Sequence, residues 1–526
     1  MTNDRPARRL AVIALLLGAA SACFGGATQP PASPAPAAPA ASPAAAAKPA
    51  GPVNYRGRVT LPDGQEIALF VKVSAEGKAT ISIPAQDVTD EPVGDFVLTA
   101  DRMAFTLSVE GMPADAAAKF DVALQPDGSG KGSIAQAGRS MPLVVAKMGA
   151  DEAFGPRRPQ NPVGPFPYES RDVTLENPKD KAVLAGTLTW PKGEPGTRHP
   201  AVILITGSGP QDRDETLLTH KPFLVIADHL SRRGFAVLRL DDRGVGGSTS
   251  PTPGPDSLVF AGDISAAADF LAKQPEVDPA RIGLVGHSEG GLIAPIVASE
   301  RSDIAFIVML AGPGVPGREI LREQLIAIQR ASGVKPEDVE RAATQQAIVL
   351  DAVAKGADEA TVLGLVRQAI GQAMAAMPDA PPPEELNEQI EASAAQQARA
   401  LTGGWMRTFI RLDPRTYLQK VRCPVLALNG ELDLQVLPTQ NMPEVVGALL
   451  RGGNGDVTAV VLPGLNHLFQ TARTGSPNEY MLIDETFAPK ALDVMSRWLR
   501  LRAGLDPWPK LDKPSALPLP APGGTP

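Results

Sequence analysis

Ile282-Gly283-Leu284-Val285-Gly286-His287-Ser288-Glu289-Gly290-Gly291-Leu292-Ile293-Ala294 is the stretch whose reading decides the fold. A short apolar β run ends at Gly286, a serine follows between glycines, and an apolar segment with helical character continues to Glu300. Strand, G-x-S-x-G turn and helix in this order form a nucleophile elbow. Glycines on both sides permit the tight turn that lifts the serine hydroxyl above the sheet edge. The helix N-terminus adds positive partial charge, and the Glu289 N–H faces the place where an oxyanion develops. The pattern alone occurs often by chance, as a Gly-rich βα turn. Its flanking strand and helix select the catalytic reading, with Ser288 as nucleophile.

A serine hydroxyl is a weak nucleophile until a base takes its proton, so a histidine must lie close. The chain has five. His287 sits in the turn itself with the wrong orientation, His199 precedes a strand at the far end, and His220 and His229 flank the helix after the first Gly-rich loop. His467, in Gly464-Leu465-Asn466-His467, follows the last β run, where the order serine, acid, histidine places the base. The acid belongs after Pro424–Leu428, where Asn429-Gly430-Glu431-Leu432-Asp433 offers two carboxylates. Asp433 is assigned to accept the His467 Nδ1–H and stabilise the imidazolium, with Glu431 as its competitor. The second oxyanion donor is expected in Thr206-Gly207-Ser208-Gly209-Pro210-Gln211-Asp212-Arg213-Asp214, from the Ser208 amide or, as the alternative, that of Gly209. Asp241-Asp242-Arg243-Gly244-Val245-Gly246-Gly247-Ser248 has the spacing of neither phosphate-loop motif and reads as scaffolding beside the site.

Working outward, apolar β runs at Ala201–Ile205, Ala236–Leu240, Ile282–Val285, Ile304–Leu310, Pro424–Leu428 and Val457–Leu462 alternate with helical segments around Phe223–Arg233, Asp263–Lys273, Gly291–Glu300 and Pro443–Arg451. An opening hairpin precedes them at Thr174–Glu176 and Ala182–Trp190. This alternation predicts an α/β unit over 171–505, a mostly parallel sheet with helices on both faces. Between Leu310 and Pro424 the connection is too long for a loop and carries apolar residues at helical spacing, so a helical cap is expected at about 313–420. Upstream, over 53–150, short alternating segments such as Gln65–Val73, Ala79–Ile83, Met103–Val109 and Pro142–Val145 predict a small antiparallel β domain without a catalytic constellation. A Pro-rich connector covers 151–170 and a Pro-rich tail covers 506–526.

The formal charge of −8 leaves no basic surplus for a phosphate-binding surface, so nucleic acid is excluded as a partner. Residues 1–22 read as a signal peptide: Arg5, Arg8 and Arg9, then the apolar run Leu10–Leu17, then the small residues Ala20-Ser21-Ala22. Ala20-Ser21-Ala22-Cys23 resembles the bacterial lipoprotein box, with Ala20 where Leu is usual. That resemblance implies lipidation of Cys23, and the Pro/Ala-rich linker over 23–52 suits a tether to a membrane in the cell envelope. The other cysteine, Cys423, opens an apolar run and is expected as a buried free thiol, so no disulfide framework exists.

Gly207 to Asp214, the Asp-Arg-Gly-Val-Gly-Gly-Ser segment from Asp242 and Gly286 to Gly291 together resemble the bacterial α/β-hydrolases grouped around esterase D, also described as serine-aminopeptidase-like, over roughly Val173 to Leu499. The resemblance implies the α/β-hydrolase fold, hydrolysis of short-acyl carboxylic esters without metal or cofactor, and an N-terminal β-rich extension. A rival within enzymes is an aminopeptidase, for which Glu384, Glu385 and Glu388 of the cap are available to hold an α-ammonium. A rival of another class is an envelope binding protein whose β domain carries the role. Oligomeric state is not legible in the sequence.

Overall fold

The computed structural model describes residues 52–60, 66–83, 88–108, 117–136, 139–149, 157–251, 254–375 and 383–507. The expected leader, Cys23, nearly all of the expected tether and nearly all of the Pro-rich tail lie outside the described residues. Two sheets organise the rest.

The first sheet has nine strands: β1 (Val53–Thr60), β2 (Glu66–Val73), β3 (Ala79–Ile83), β4 (Val88–Pro92), β5 (Gly94–Leu98), β6 (Arg102–Leu107), β7 (Ala118–Leu124), β8 (Gly130–Gln136) and β9 (Arg139–Lys147). Every pairing in it is antiparallel, in the order β4-β3-β2-β1-β9-β8-β7-β6-β5. The two outermost strands, β4 and β5, are joined by Val93 alone, so the sheet curls until its edges approach each other. Inside the curl, Leu69, Val71, Ile81, Met103, Phe105, Phe120, Val122 and Leu143 form one core, with Phe105 stacked on Phe120 at 4.3 Å between ring centroids. Each such side chain stabilises the fold by about 1.5–3 kcal/mol when removed from water.

The second sheet has eight strands: β10 (Tyr168–Glu176), β11 (Val183–Pro191), β12 (His199–Ile205), β13 (Ala236–Leu240), β14 (Val277–His287), β15 (Phe306–Leu310), β16 (Val425–Gly430) and β17 (Val457–Leu462). Their order is β10-β11-β13-β12-β14-β15-β16-β17. The opening hairpin joins β13 antiparallel, and all pairings from β13 to β17 are parallel. Along β12 the side chains divide between two cores: Ala201, Ile203 and Ile205 meet helices α2 (Ser257–Leu271) and α3 (Glu289–Glu300). Val202 and Leu204 meet α1 (Pro222–Ser231) and the C-terminal helix Pro489–Arg502 on the opposite face. Helix α2 starts six residues before the Asp263 expected from the sequence, because the Asp256 side chain caps it by accepting from the Leu258 and Val259 amides.

Among the described residues six helices lie between β15 and β16: α4 (Gly317–Ala331), α5 (Pro336–Ala354), α6 (Glu359–Ala375), α7 (Pro383–Thr402), α8 (Gly404–Arg411) and α9 (Arg415–Leu418). Helices α5 to α8 share a core of their own, built on Val349, Val353, Val362, Val366, Ala394, Ala398 and Ile410. After β16 come α10 (Pro438–Arg451) and, after β17, α11 (Pro489–Arg502). Among the described residues no helix is long and apolar enough to cross a membrane.

Candidate active site

Strand β12 lies between β13 and β14, where the strand order reverses, and the loops at this crevice form the natural ligand site of an open α/β sheet. At the end of β14 the chain turns through Ser288, whose φ of +52° is left-handed for a non-glycine residue. Such a backbone costs of order 1–3 kcal/mol and persists only where its surroundings enforce it. A Cβ on Gly286 would lie 2.0 Å from the Gly290 carbonyl oxygen, and one on Gly290 would lie 2.1 Å from that of Ile205. Only glycine fits at either position. The Ser288 amide donates to the Leu310 carbonyl at 2.8 Å, which pins the turn to β15. Ser288 stays half-buried at the mouth of the crevice.

The structure brings Asp433 and His467 together: Oδ2 of Asp433 lies 2.9 Å from Nδ1 of His467, and both side chains are buried. The other carboxylate oxygen accepts from the Gln435 and Val436 amides at 2.8 and 2.9 Å, so the carboxylate is held in a fixed orientation. Glu431 is exposed, and its carboxylate accepts from the Gly464 amide at 2.9 Å, bracing the turn before His467. The His467 loop is fixed by Asn466, whose side-chain oxygen accepts from the Leu468 and Gln470 amides. His220 supports it from below, contacting Gln470 and the Tyr480 carbonyl, and burial pushes its pKa down to about 4, so it stays neutral. Among the described residues no hydrogen bond joins the Ser288 hydroxyl to His467, although the ring of its neighbour His287 lies 4.9 Å from the His467 ring. Catalytic hydrogen bonds are commonly long without substrate.

Glu289 is the first residue of α3, so its amide has no partner within the helix. Its side chain is buried; burial raises its pKa, against hydrogen bonds from Ser257 at 2.6 Å and the Trp405 indole at 2.8 Å. Trp405 belongs to α8, so the cap is fastened to the residue that follows Ser288. Ser208 and Gly209 occupy an exposed turn after β12, and among the described residues neither amide makes a hydrogen bond within the chain. Gly207 of that loop lies beside the serine: a Cβ there would lie 3.4 Å from the Ser288 Cβ. Asp242 accepts from the Thr206 hydroxyl and the Gln211 amide, and burial pushes its carboxyl up to about 7. Beside it lies a cavity of about 30 Å³ lined by Gly207, Asp242 and Glu289, among others.

The profile of the family described as serine aminopeptidase, S33, matches residues 221–345, from α1 through the Ser288 turn into α5. Over 347 residues the chain is 29% identical to Esterase EstD of Thermotoga maritima, covering 64% of this chain and 69% of that protein. These matches support an α/β-hydrolase of an esterase family. They likewise support the class of carboxylesterase-type hydrolases. The hydrolase is also 31% identical over 189 residues to an uncharacterized protein of Mycobacterium tuberculosis, covering 32% of this chain and 62% of that one. Among solved structures it is similar to a hypothetical protein from Pseudomonas aeruginosa, with a TM-score of 0.39 and 19% identity over 65% of this chain and 95% of that one.

Sequence reasoning passes over three groups that shape this site. His287 is not a bystander: its Nε2 donates to the His467 carbonyl at 3.0 Å and its Nδ1 lies 2.9 Å from a Glu215 carboxylate oxygen. Trp405 comes from the cap and Asp242 from the loop read as scaffolding. That loop does have a scaffolding part, in which Asp241 holds Arg213 through two charge-assisted bonds at 3.0 and 2.7 Å. Cys423 is a free thiol, half-buried, and burial pushes its pKa up to about 12, which keeps it inert.

Proposed function

We propose that this chain hydrolyses carboxylic esters with short acyl groups through Ser288, His467 and Asp433. The observation that carries the reading is the buried Asp433–His467 pair at one strand end, beside a left-handed serine turn at the next but one. His467 Nε2 takes the Ser288 proton as the hydroxyl oxygen attacks the ester carbonyl. Asp433 stabilises the imidazolium that results, and the amides of Glu289 and of Ser208 or Gly209 receive the oxyanion. His467 then passes its proton to the leaving alkoxide, releasing the alcohol, and activates water to hydrolyse the acyl-enzyme.

A fluorophosphonate probe and a panel of nitrophenyl esters of increasing chain length test this. Wild type should label and turn over short esters, and Ser288→Ala should do neither while keeping its melting temperature. Equal labelling of both proteins moves the nucleophile elsewhere. The family profile favours one second reading, an aminopeptidase. Turnover of aminoacyl-anilides without ester turnover would select it. The cap carboxylates Glu384, Glu385 and Glu388 that it calls on have side chains outside the described residues.

The reading extends to location. The chain is exported by residues 1–22 and held in the envelope by lipid on Cys23, with 23–52 as tether, 53–150 as β domain and 171–505 as the hydrolase unit. What supports it is the leader pattern and the cysteine directly after small residues. Metabolic fatty-acid labelling should mark wild type and not Cys23→Ser. An unlabelled wild-type protein would remove the anchor.

A further inference from the structure

Glu215 follows directly on the loop that carries the oxyanion amides and is buried, 4% exposed. One of its carboxylate oxygens accepts from the Gly207 amide at 2.6 Å and from His287 Nδ1 at 2.9 Å. His287 immediately precedes Ser288, and its other nitrogen donates to the His467 carbonyl at 3.0 Å. One carboxylate thus ties together the oxyanion loop, the serine turn and the base loop. Both ring nitrogens of His287 face acceptors, so the ring carries both protons and forms a buried ion pair with Glu215. Burial by itself lowers the His287 pKa, but the Glu215 charge and hydrogen bond, with the His467 carbonyl, outweigh it and raise it.

This carboxylate is held by a strained segment. Glu215, Leu218 and Thr219 have φ of +52°, +50° and +67° without being glycine, an arrangement that costs roughly 1–2 kcal/mol per residue. External contacts enforce it. The Arg158 guanidinium donates to the Leu218 carbonyl at 2.8 Å, and His220 and Leu217 exchange backbone hydrogen bonds at 3.1 and 2.9 Å. The Leu218 side chain packs against a cluster to which the first sheet contributes Ala68 and Phe70 of β2, with Met148 just beyond β9. The cluster is completed by Met481, from the 3-10 turn Pro477–Leu482.

We propose that Glu215 is a positioning residue for the hydrolysis, fixing the spacing of the oxyanion loop, nucleophile turn and base loop, and that the N-terminal sheet holds it in place through Leu218. The proposal rests on the ester-hydrolase reading. With the Gly207 amide committed to Glu215, the Ser208 and Gly209 amides are left for the oxyanion. Loosening that loop therefore weakens the transition state more than the substrate complex.

The test uses the full chain and two variants. Glu215→Gln keeps the size and an acceptor oxygen but removes the charge opposite His287. Its kcat should fall about 100-fold, the scale of one oxyanion donor, with KM little changed. A trifluoromethyl ketone, which adds the serine oxygen to give a tetrahedral oxyanion, should bind more weakly by the same factor. Phe70→Ala, in the N-terminal sheet and remote from the chemistry, should lower kcat and ketone affinity in step by a smaller factor. A folded Glu215→Gln protein with wild-type kcat, or with lowered kcat and wild-type ketone affinity, overturns the positioning role. Wild-type behaviour of Phe70→Ala overturns the part given to the sheet and, where Glu215→Gln does not fold, the proposal itself. Wild-type protein inert to esters and to fluorophosphonate removes the hydrolase reading instead, so the two failures are distinguishable.

Discussion

In the first sheet a strand such as β7 buries every second residue, Ala118, Phe120, Val122 and Leu124, and turns the rest to water. In the second, β12 is buried at every position from Pro200 to Ile205, with a hydrophobic core on each face. Direction matters as much as burial. Neighbouring strands of the first sheet run opposite ways, so the loops from adjacent strands leave at opposite ends. From β13 to β17 the strands run the same way, and their carboxyl ends deliver Thr206, Asp242, Ser288, Asp433 and His467 to one edge. A parallel sheet therefore collects chemistry at one end, and an antiparallel one distributes it. On the proposed reading, the difference accounts for one sheet carrying the reaction and the other supporting it.

The comparison is tested most strongly at the shared edge. Asp433→Asn should lower turnover by about 10⁴-fold by leaving the imidazolium without its partner, whereas Glu431→Gln should cost less than about tenfold. Steady-state kinetics on both variants decides it, and the reverse ranking would move the acid to Glu431. Matched glycines sharpen the contrast. A Cβ on Gly286 would lie 2.0 Å from the Gly290 carbonyl oxygen, and one on Gly132 in β8 would lie 1.9 Å from that of Asp121. Alanine at either position should destabilise by about 1–3 kcal/mol. Only Gly286→Ala should also lose fluorophosphonate labelling in its folded fraction; loss in both would mean that the first sheet reaches the serine directly.

A smaller effect concerns Asp242, whose carboxyl is raised from 3.8 to about 7 by burial. Between those values the folded chain keeps a proton that the unfolded chain has released. Stability therefore falls as pH rises through this window, by up to about 1.4 kcal/mol per pH unit, and levels off above it. Asp242→Asn lacks that proton. Its melting temperature should gain on wild type from about pH 4 to about pH 7, and a constant difference would show that Asp242 is charged throughout. The smallest effect belongs to the first sheet. Arg102 and Asp121 pair bidentately at 2.9 Å, but their side chains are 54% and 59% exposed. A double-mutant cycle should give less than about 1 kcal/mol, and a larger coupling would contradict the view of that face as solvated.

The second sheet is the more legible in sequence because burial on both faces leaves continuous apolar runs. Val457–Leu462 is read with its observed bounds, and the Ser288 turn is set by glycines whose missing Cβ atoms the structure requires. The first sheet is harder. Ala118–Leu124 alternates strictly, yet its outward Lys119, Asp121 and Ala123 carry no β signal, and Gly130–Gln136 is diluted by Gly132 and Ser133. Tertiary pairing decides those strands. Glu215 is beyond sequence reasoning altogether: its partner His287 is 72 residues away, and nothing in local spacing relates them. The same holds for Trp405, which finds Glu289 across 116 residues.

That last contact makes the cap visible to light. The chain has four tryptophans, and the indole N–H of Trp405 is held by a buried carboxylate while its ring stacks on Phe409 at 5.3 Å. A cap that lifts from the Ser288 turn must break that bond and bring water to the indole. Its emission then shifts to the red, on the timescale of the opening and without any turnover. A Trp405→Phe protein should lose that part of the signal, so the hydrolase carries its own optical gauge of access to Ser288.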